Sequence, residues 1–132
     1  MKQNILKTIL GGIFGTILLT LMALFVAPMM GVKMDPPAML AMKFHVSMPL
    51  GWLMHFMMGI MFAFFYLVIV RILVGKVTNV WVKGLIFGAV VFVIAAVGMS
   101  VMGAMVPSIM GLMALLMAHL VYGMGVVRTI NE

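Results

Sequence analysis

The sequence predicts an all-α integral membrane protein, a four-helix bundle of two hairpins, and three observations carry that prediction. Of its 132 residues, 67% are hydrophobic and 8% charged, against about a quarter charged in soluble domains. The apolar residues form four stretches, about 5–27, 50–70, 80–102 and 107–127, each about 31–35 Å long as helix, which matches the hydrocarbon core of a bilayer. The basic residues stand outside these stretches or within their first few residues. Lys2, Lys7, Arg71, Lys76, Lys83 and Arg128 fall on one side of the implied topology, and Lys33 and Lys43 on the other. Lys/Arg excess marks the cytoplasmic side, so both termini are expected in the cytoplasm, with four spans in a bacterial inner membrane and residues 1–132 as one transmembrane domain.

The first stretch begins like a signal peptide. Its apolar run from Ile9 to Ala27 is too long for one, and no Ala-x-Ala site follows, so it reads as a retained helix. The connection from Pro28 to Pro49 contains Asp35-Pro36-Pro37, an N-cap acid followed by prolines that a first helical turn tolerates. A short interfacial helix over about 36–46 is expected there. Its Lys43 and His45 would face water or headgroups, and Met39, Leu40, Met42 and Val46 the bundle or the bilayer. Gly103 to Pro107 reads as a tight turn. Trp52 and Trp81 sit near span ends, where amphipathic rings favour the headgroup layer, and Tyr66 and Tyr122 lie one to two turns from the basic residues, a similar anchoring position.

The halves repeat. Asn4, Lys7 and Gly12 correspond to Asn79, Lys83 and Gly88, and His55 with Gly59 to His119 with Gly123. Each half has two spans, so the halves share an orientation and a pseudo-twofold axis would run along the membrane normal. Small residues identify the packing faces, because helices in lipid associate by close backbone approach. Thr8, Gly12, Thr16 and Thr20 make one stripe; Gly51, His55, Gly59 and Ala63 a second; Gly84 and Gly88 a third; Gly111, Leu115, His119 and Gly123 a fourth. Gly12, Gly59, Gly88 and Gly123 are the expected packing positions, and both intramembrane histidines lie on packing faces.

These residues resemble a family of small, uncharacterised four-helix bacterial membrane proteins, a domain of unknown function. The resemblance runs over most of the chain. It rests on Ala27-Pro28-Met29-Met30-Gly31 with Lys33-Met34-Asp35 and Ala38-Met39-Leu40, on His55-Phe56-Met57-Met58-Gly59 with Tyr66 beyond, and on His119-Leu120-Val121-Tyr122-Gly123. The tail Val126-Val127-Arg128 departs from a more glycine-rich ending. The resemblance implies the fold and the singled-out positions, and no activity.

Composition excludes several chemistries. The chain has two acidic residues and no cysteine, so paired-carboxylate hydrolysis, a thiolate nucleophile and cysteine metal sites are out of reach. The charge of +6 is spread over loops and does not form a nucleic-acid patch. No nucleophile–base pair or phosphate loop can be assembled, and enzymatic activity is not expected. Histidine and methionine remain. His55 and His119 are either interhelical hydrogen-bonding groups or ligands, with a bis-His haem b as one possibility; depth counted from the helix ends staggers the two, which disfavours haem. Sixteen of the nineteen methionines fall between 29 and 61 or 99 and 117. Met54 and Met58, Met57 and Met61, Met99, Met102 and Met105, and Met110, Met113 and Met117 set thioethers on shared helix faces. With His45 and His55 nearby, Met54, Met58, Met113 and Met117 are candidate Cu(I) ligands; the competing reading is adaptable packing.

The sequence therefore predicts a non-catalytic inner-membrane protein, an interaction or accessory component partnered by the bilayer and by other membrane proteins or itself. Binding of Cu(I) or haem is the alternative, with a small cation or proton channel as a further one.

Overall fold

The computed structural model describes residues 2–103 and 107–131. Every regular element among them is helical. Helix α1 runs Lys2–Leu21 and continues through a π turn, Met22–Val26, into Ala27–Met29; α2 is Pro36–Phe44; α3 runs Met48–Phe65 and continues through a π turn, Tyr66–Val70, into Arg71–Leu73; α4 is Val80–Val101; α5 is Ile109–Asn131. Four of these are long and apolar enough to cross a membrane: Asn4–Met29, Met48–Leu73, Val80–Val101 and Ile109–Asn131. The chain is a membrane protein with the helical-bundle fold that its hydropathy predicts. Most of the expected turn from Gly103 to Pro107 lies outside the described residues.

Local chemistry sets the ends. Pro28 has no N–H, and a proline ring crowds the carbonyl four residues before it. The preceding turn widens, and Ala27 N–H reaches back to the Met22 carbonyl. Gly31 then closes α1 at φ 74°, with Val32 N donating to the Ala27 carbonyl at 3.0 Å, a Schellman-type end. Asp35 caps α2 by accepting from Ala38 N at 3.1 Å, ahead of the two prolines. Asn79 Oδ1 caps α4, accepting from Trp81 N at 2.9 Å, and Ser108 Oγ accepts from Gly111 N at 3.1 Å at the start of α5.

Close approach of backbones orders the bundle. The spans pack in the sequence α3, α1, α5, α4, and α2 lies against α3, whereas α3 and α4 are not a closely packed pair. In the α1–α3 joint a Cβ on Gly12 would lie 2.6 Å from Ile60 Cα, and one on Gly59 would collide with Thr16 Oγ1. In the α4–α5 joint a Cβ on Gly84 would lie 2.6 Å from Met124 Cα, and one on Gly123 would collide with the backbone of Gly84 and Gly88. The partner of Gly12 in these contacts is thus Gly84, one turn away from the Gly88 of the sequence pairing. A seam that the small-residue stripes overlooked joins α1 to α5 through Gly11, Gly15 and Gly125.

At the end of the bundle where α1 begins and α5 ends, the core is closely packed. Tyr66, Phe87 and Tyr122 pack with ring centroids 5.0 and 6.0 Å apart, backed by Val70, Val74, Val126 and Val127. Tyr66 and Tyr122 are 0% and 2% exposed, so neither anchors in the headgroup layer. A phenol can enter an apolar interior when its hydroxyl finds a partner. Tyr122 donates to the Gly59 carbonyl at 2.5 Å, and Tyr66 Oη accepts from Asn131 Nδ2 at 3.1 Å. Trp81 stays exposed at this end, with the Arg128 guanidinium 5.8 Å from its ring centre.

Candidate functional site

Because α3 and α4 splay apart, a cavity of about 680 Å³ opens between them above the aromatic plug. Its floor and back are Thr16 and Leu19 of α1 and Leu115, His119 and Tyr122 of α5. Its sides are His55, Met58, Gly59 and Phe62 of α3 and Val91, Ile94, Ala95, Gly98 and Met99 of α4. Its mouth is covered by α2 and the preceding segment, through Met34, Met39, Leu40, Met42, Lys33 and Lys43. Lys43 Nζ donates across the mouth to the Met102 carbonyl at the end of α4. The volume lies within the range of small-molecule sites, about 300–1,000 Å³.

Both histidines face this cavity and are 8% and 7% exposed. Depth counted from the helix ends separates them; the cavity brings them together, and the Tyr122–Gly59 hydrogen bond sets α5 against α3 within a turn of both. Their hydrogen bonds decide which ring nitrogen is left over. His119 Nδ1 lies 2.7 Å from the Leu115 carbonyl, which only accepts, so Nδ1 is the N–H and Nε2 bears the lone pair. Thr20 Oγ1 has the Thr16 carbonyl at 2.7 Å and His55 Nε2 at 3.0 Å, so Nε2 of His55 is engaged in either tautomer and Nδ1 is the nitrogen left over. No side-chain nitrogen or oxygen among the described residues is both sealed in protein and unpartnered. Those two nitrogens are consequently open, in rings that share the cavity.

The other expected ligands scatter. Met58 lines the cavity with His55. Met54 is half-buried on α3 outside the lining, Met113 and Met117 face outward on α5, and His45 ends α2 exposed at φ 53°. None of these four shares the cavity lining with His55. Helical spacing gathered the α5 thioethers on a common face, and that face is exposed on the bundle. The thioethers that do meet the histidines' cavity include Met34, Met39, Met42, Met99 and Met102, of which only Met99 and Met102 stood in a recognised run. No cluster of three or more His, Cys, Asp or Glu suited to a metal occurs among the described residues.

On α2, Pro37 and Ala41 are buried against Gly51 of α3, and Met42 stays exposed over the mouth. The short helix is fastened to one wall of the cavity and reaches the other through Lys43.

No curated protein and no solved structure matches the chain. A family of unknown function matches residues 2–131, nearly the whole sequence, including every residue of the cavity. The chain belongs to that family, DUF6789.

Proposed function

We propose that this protein binds a small lipid-soluble molecule within the membrane, without catalysis of its own. The observation that supports this most directly is the cavity between α3 and α4, apolar on its walls and carrying two open imidazole nitrogens. Fully packed bundles leave few voids larger than a water molecule, and a buried polar group in lipid is costly unless it serves packing or binding. The splayed seam gives a path from the bilayer, and the aromatic plug beneath argues against a water-filled conduit for protons or cations. An accessory role beside a larger membrane protein is compatible with this reading, the bound molecule being what the two would share.

Cu(I) is the second reading, favoured by thioethers at the mouth, including Met34, Met39 and Met99, in the same cavity as the histidines. Haem has less support: with His55 Nε2 held by Thr20, iron would have to take Nδ1, the nitrogen nearer the main chain. The proposal also places the six-lysine-and-arginine end in the cytoplasm of an inner membrane, with the cavity mouth outside. Cysteine labelling at positions 43 and 76 tests that orientation; selective external labelling at 76 reverses it.

Gly98 supplies the functional test, because a Cβ there meets nothing within 4 Å although the residue lines the cavity. Protein extracted gently from its native membrane should carry a small molecule in native mass spectrometry, and Gly98→Leu should lose it while melting unchanged. Equal ligand content in the two proteins, or none in either, overturns the reading.

A further inference from the structure

We propose that the cavity selects a neutral molecule whose head donates a hydrogen bond, a phenol or an alcohol on an apolar body, with His119 Nε2 as the acceptor. This inference rests on the cavity being a ligand site and assigns the class of ligand. In the deep half of the cavity the threonine and tyrosine hydroxyls and the His119 N–H are already committed as donors. Thr16 Oγ1 donates to the Gly12 carbonyl at 2.7 Å, and Thr20 Oγ1 to that of Thr16. Tyr122 Oη donates to the Gly59 carbonyl and His119 Nδ1–H to that of Leu115, and His55 Nε2 is engaged by Thr20. What His119 leaves unpaired is acceptor capacity alone. A carbonyl or ether head would set lone pair against lone pair there, whereas a hydroxyl finds a partner.

Charge is excluded by the same wall. No carboxylate or ammonium lines the deep half; Lys33 and Lys43 stand at the mouth, and Lys43 is bound to the Met102 carbonyl. An ionic head carried down to the histidines would lose its hydration with no counter-charge. The remaining wall, Val91, Ile94, Ala95 and Phe62 among it, suits an alkyl or isoprenoid body.

The test is equilibrium binding, in phosphatidylcholine nanodiscs, of para-decylphenol and of its methyl ether, para-decylanisole. The phenol should bind about tenfold more tightly than the ether, the worth of one well-made hydrogen bond. His119→Phe should remove that preference and leave ether binding unchanged, and His119→Gln, which restores an acceptor, should recover part of it. Equal affinity of wild type for phenol and ether overturns the donor-head assignment while leaving the cavity reading intact. Binding of neither, or binding of both that Gly98→Leu leaves untouched, overturns the cavity reading itself. Stoichiometric Cu(I), measured by competition with bathocuproine and lost in His119→Phe, gives the nitrogens to a metal and also overturns the assignment.

Discussion

The joint between α1 and α3 makes a prediction that can be worked from single atoms. An alanine at position 59 would put its methyl into Thr16 Oγ1, 3.1 Å from Thr16 Cβ and 3.3 Å from the Gly12 carbonyl oxygen. The hydroxyl cannot easily rotate away, since it is bound to the Gly12 carbonyl and Thr16 is fully buried. Overpacking of this kind costs about 1–3 kcal/mol, and replacing a helical glycine by alanine returns about 1 kcal/mol. Gly59→Ala is therefore expected to destabilise by about 0–2 kcal/mol. Removing the obstructing oxygen in Thr16→Ala leaves contacts that shifts of a few tenths of an ångström relieve. The double variant should then be more stable than the sum of the two single changes by about 1–2 kcal/mol. Reversible unfolding in mild detergent, followed by circular dichroism for all four proteins, measures that coupling. Additive costs would refute the contact, and an uncoupled, costless Gly59→Ala would show that this stripe faces lipid.

Four further outcomes are expected. Gly123→Ala should lower the melting temperature with no side-chain rescue, because the atoms it meets are backbone atoms of Gly84 and Gly88; a Thr16-like compensation found on α4 would contradict this. His45→Gly should raise stability by about 1 kcal/mol in thermal unfolding, since His45 holds a left-handed φ of 53° at the end of α2; a loss would mean that its ring makes contacts worth more than the strain. Tyr122→Phe should cost about 0.6 kcal/mol, the usual worth of an interhelical hydrogen bond in a membrane, and the same unfolding assay would expose a larger role if several kilocalories were lost. Lys43→Met should speed amide hydrogen exchange in α2 and leave the spans unchanged, because it cuts the link to Met102 across the cavity mouth; unaltered exchange would show that packing on Gly51 alone holds the helix.

Much of the fold was legible in the sequence because its signals are local and periodic. Four apolar runs and the basic residues between them give the spans, Asp35 with two prolines gives α2, and spacings of four give the Gly12–Thr16 and His55–Gly59 faces. Gly11 and Gly15 carried the same spacing and mark the seam with α5, but a neighbouring stripe on the same helix masked them. The cavity was not legible, because a void is a failure of two distant faces to fit, and neither α3 nor α4 announces it alone. The tautomers were hidden for a related reason. His119 is fixed by its own helix, through Leu115, while His55 is met by Thr20, 35 residues away. Methionine spacing identified shared faces without saying which way they turned, and Met113 and Met117 lie on an exposed face of α5 outside the cavity lining.

The contacts themselves indicate why the void lies between α3 and α4. Gly59 meets Gly12 and Thr16, Gly123 meets Gly84 and Gly88, and His55 meets Thr20 where His119 meets the ring of Phe92. This register pairs Gly12 with Gly84, Thr16 with Gly88 and Thr20 with Phe92 across the two hairpins. Carried along the helices, it sets Lys83 and Phe87 opposite Gly11 and Gly15, and Met61 opposite Gly125. The three glycines that let α1 and α5 touch thus have two long side chains and a phenylalanine as their counterparts on α4 and α3. Phe87 fills the lower part of the gap with Tyr66 and Tyr122. The same exchange explains the two histidines. Thr20 offers His55 Nε2 a hydroxyl, while Phe92 offers His119 none, so His119 turns Nδ1–H to the Leu115 carbonyl. The two hairpins thus leave a different nitrogen of each ring to face the cavity.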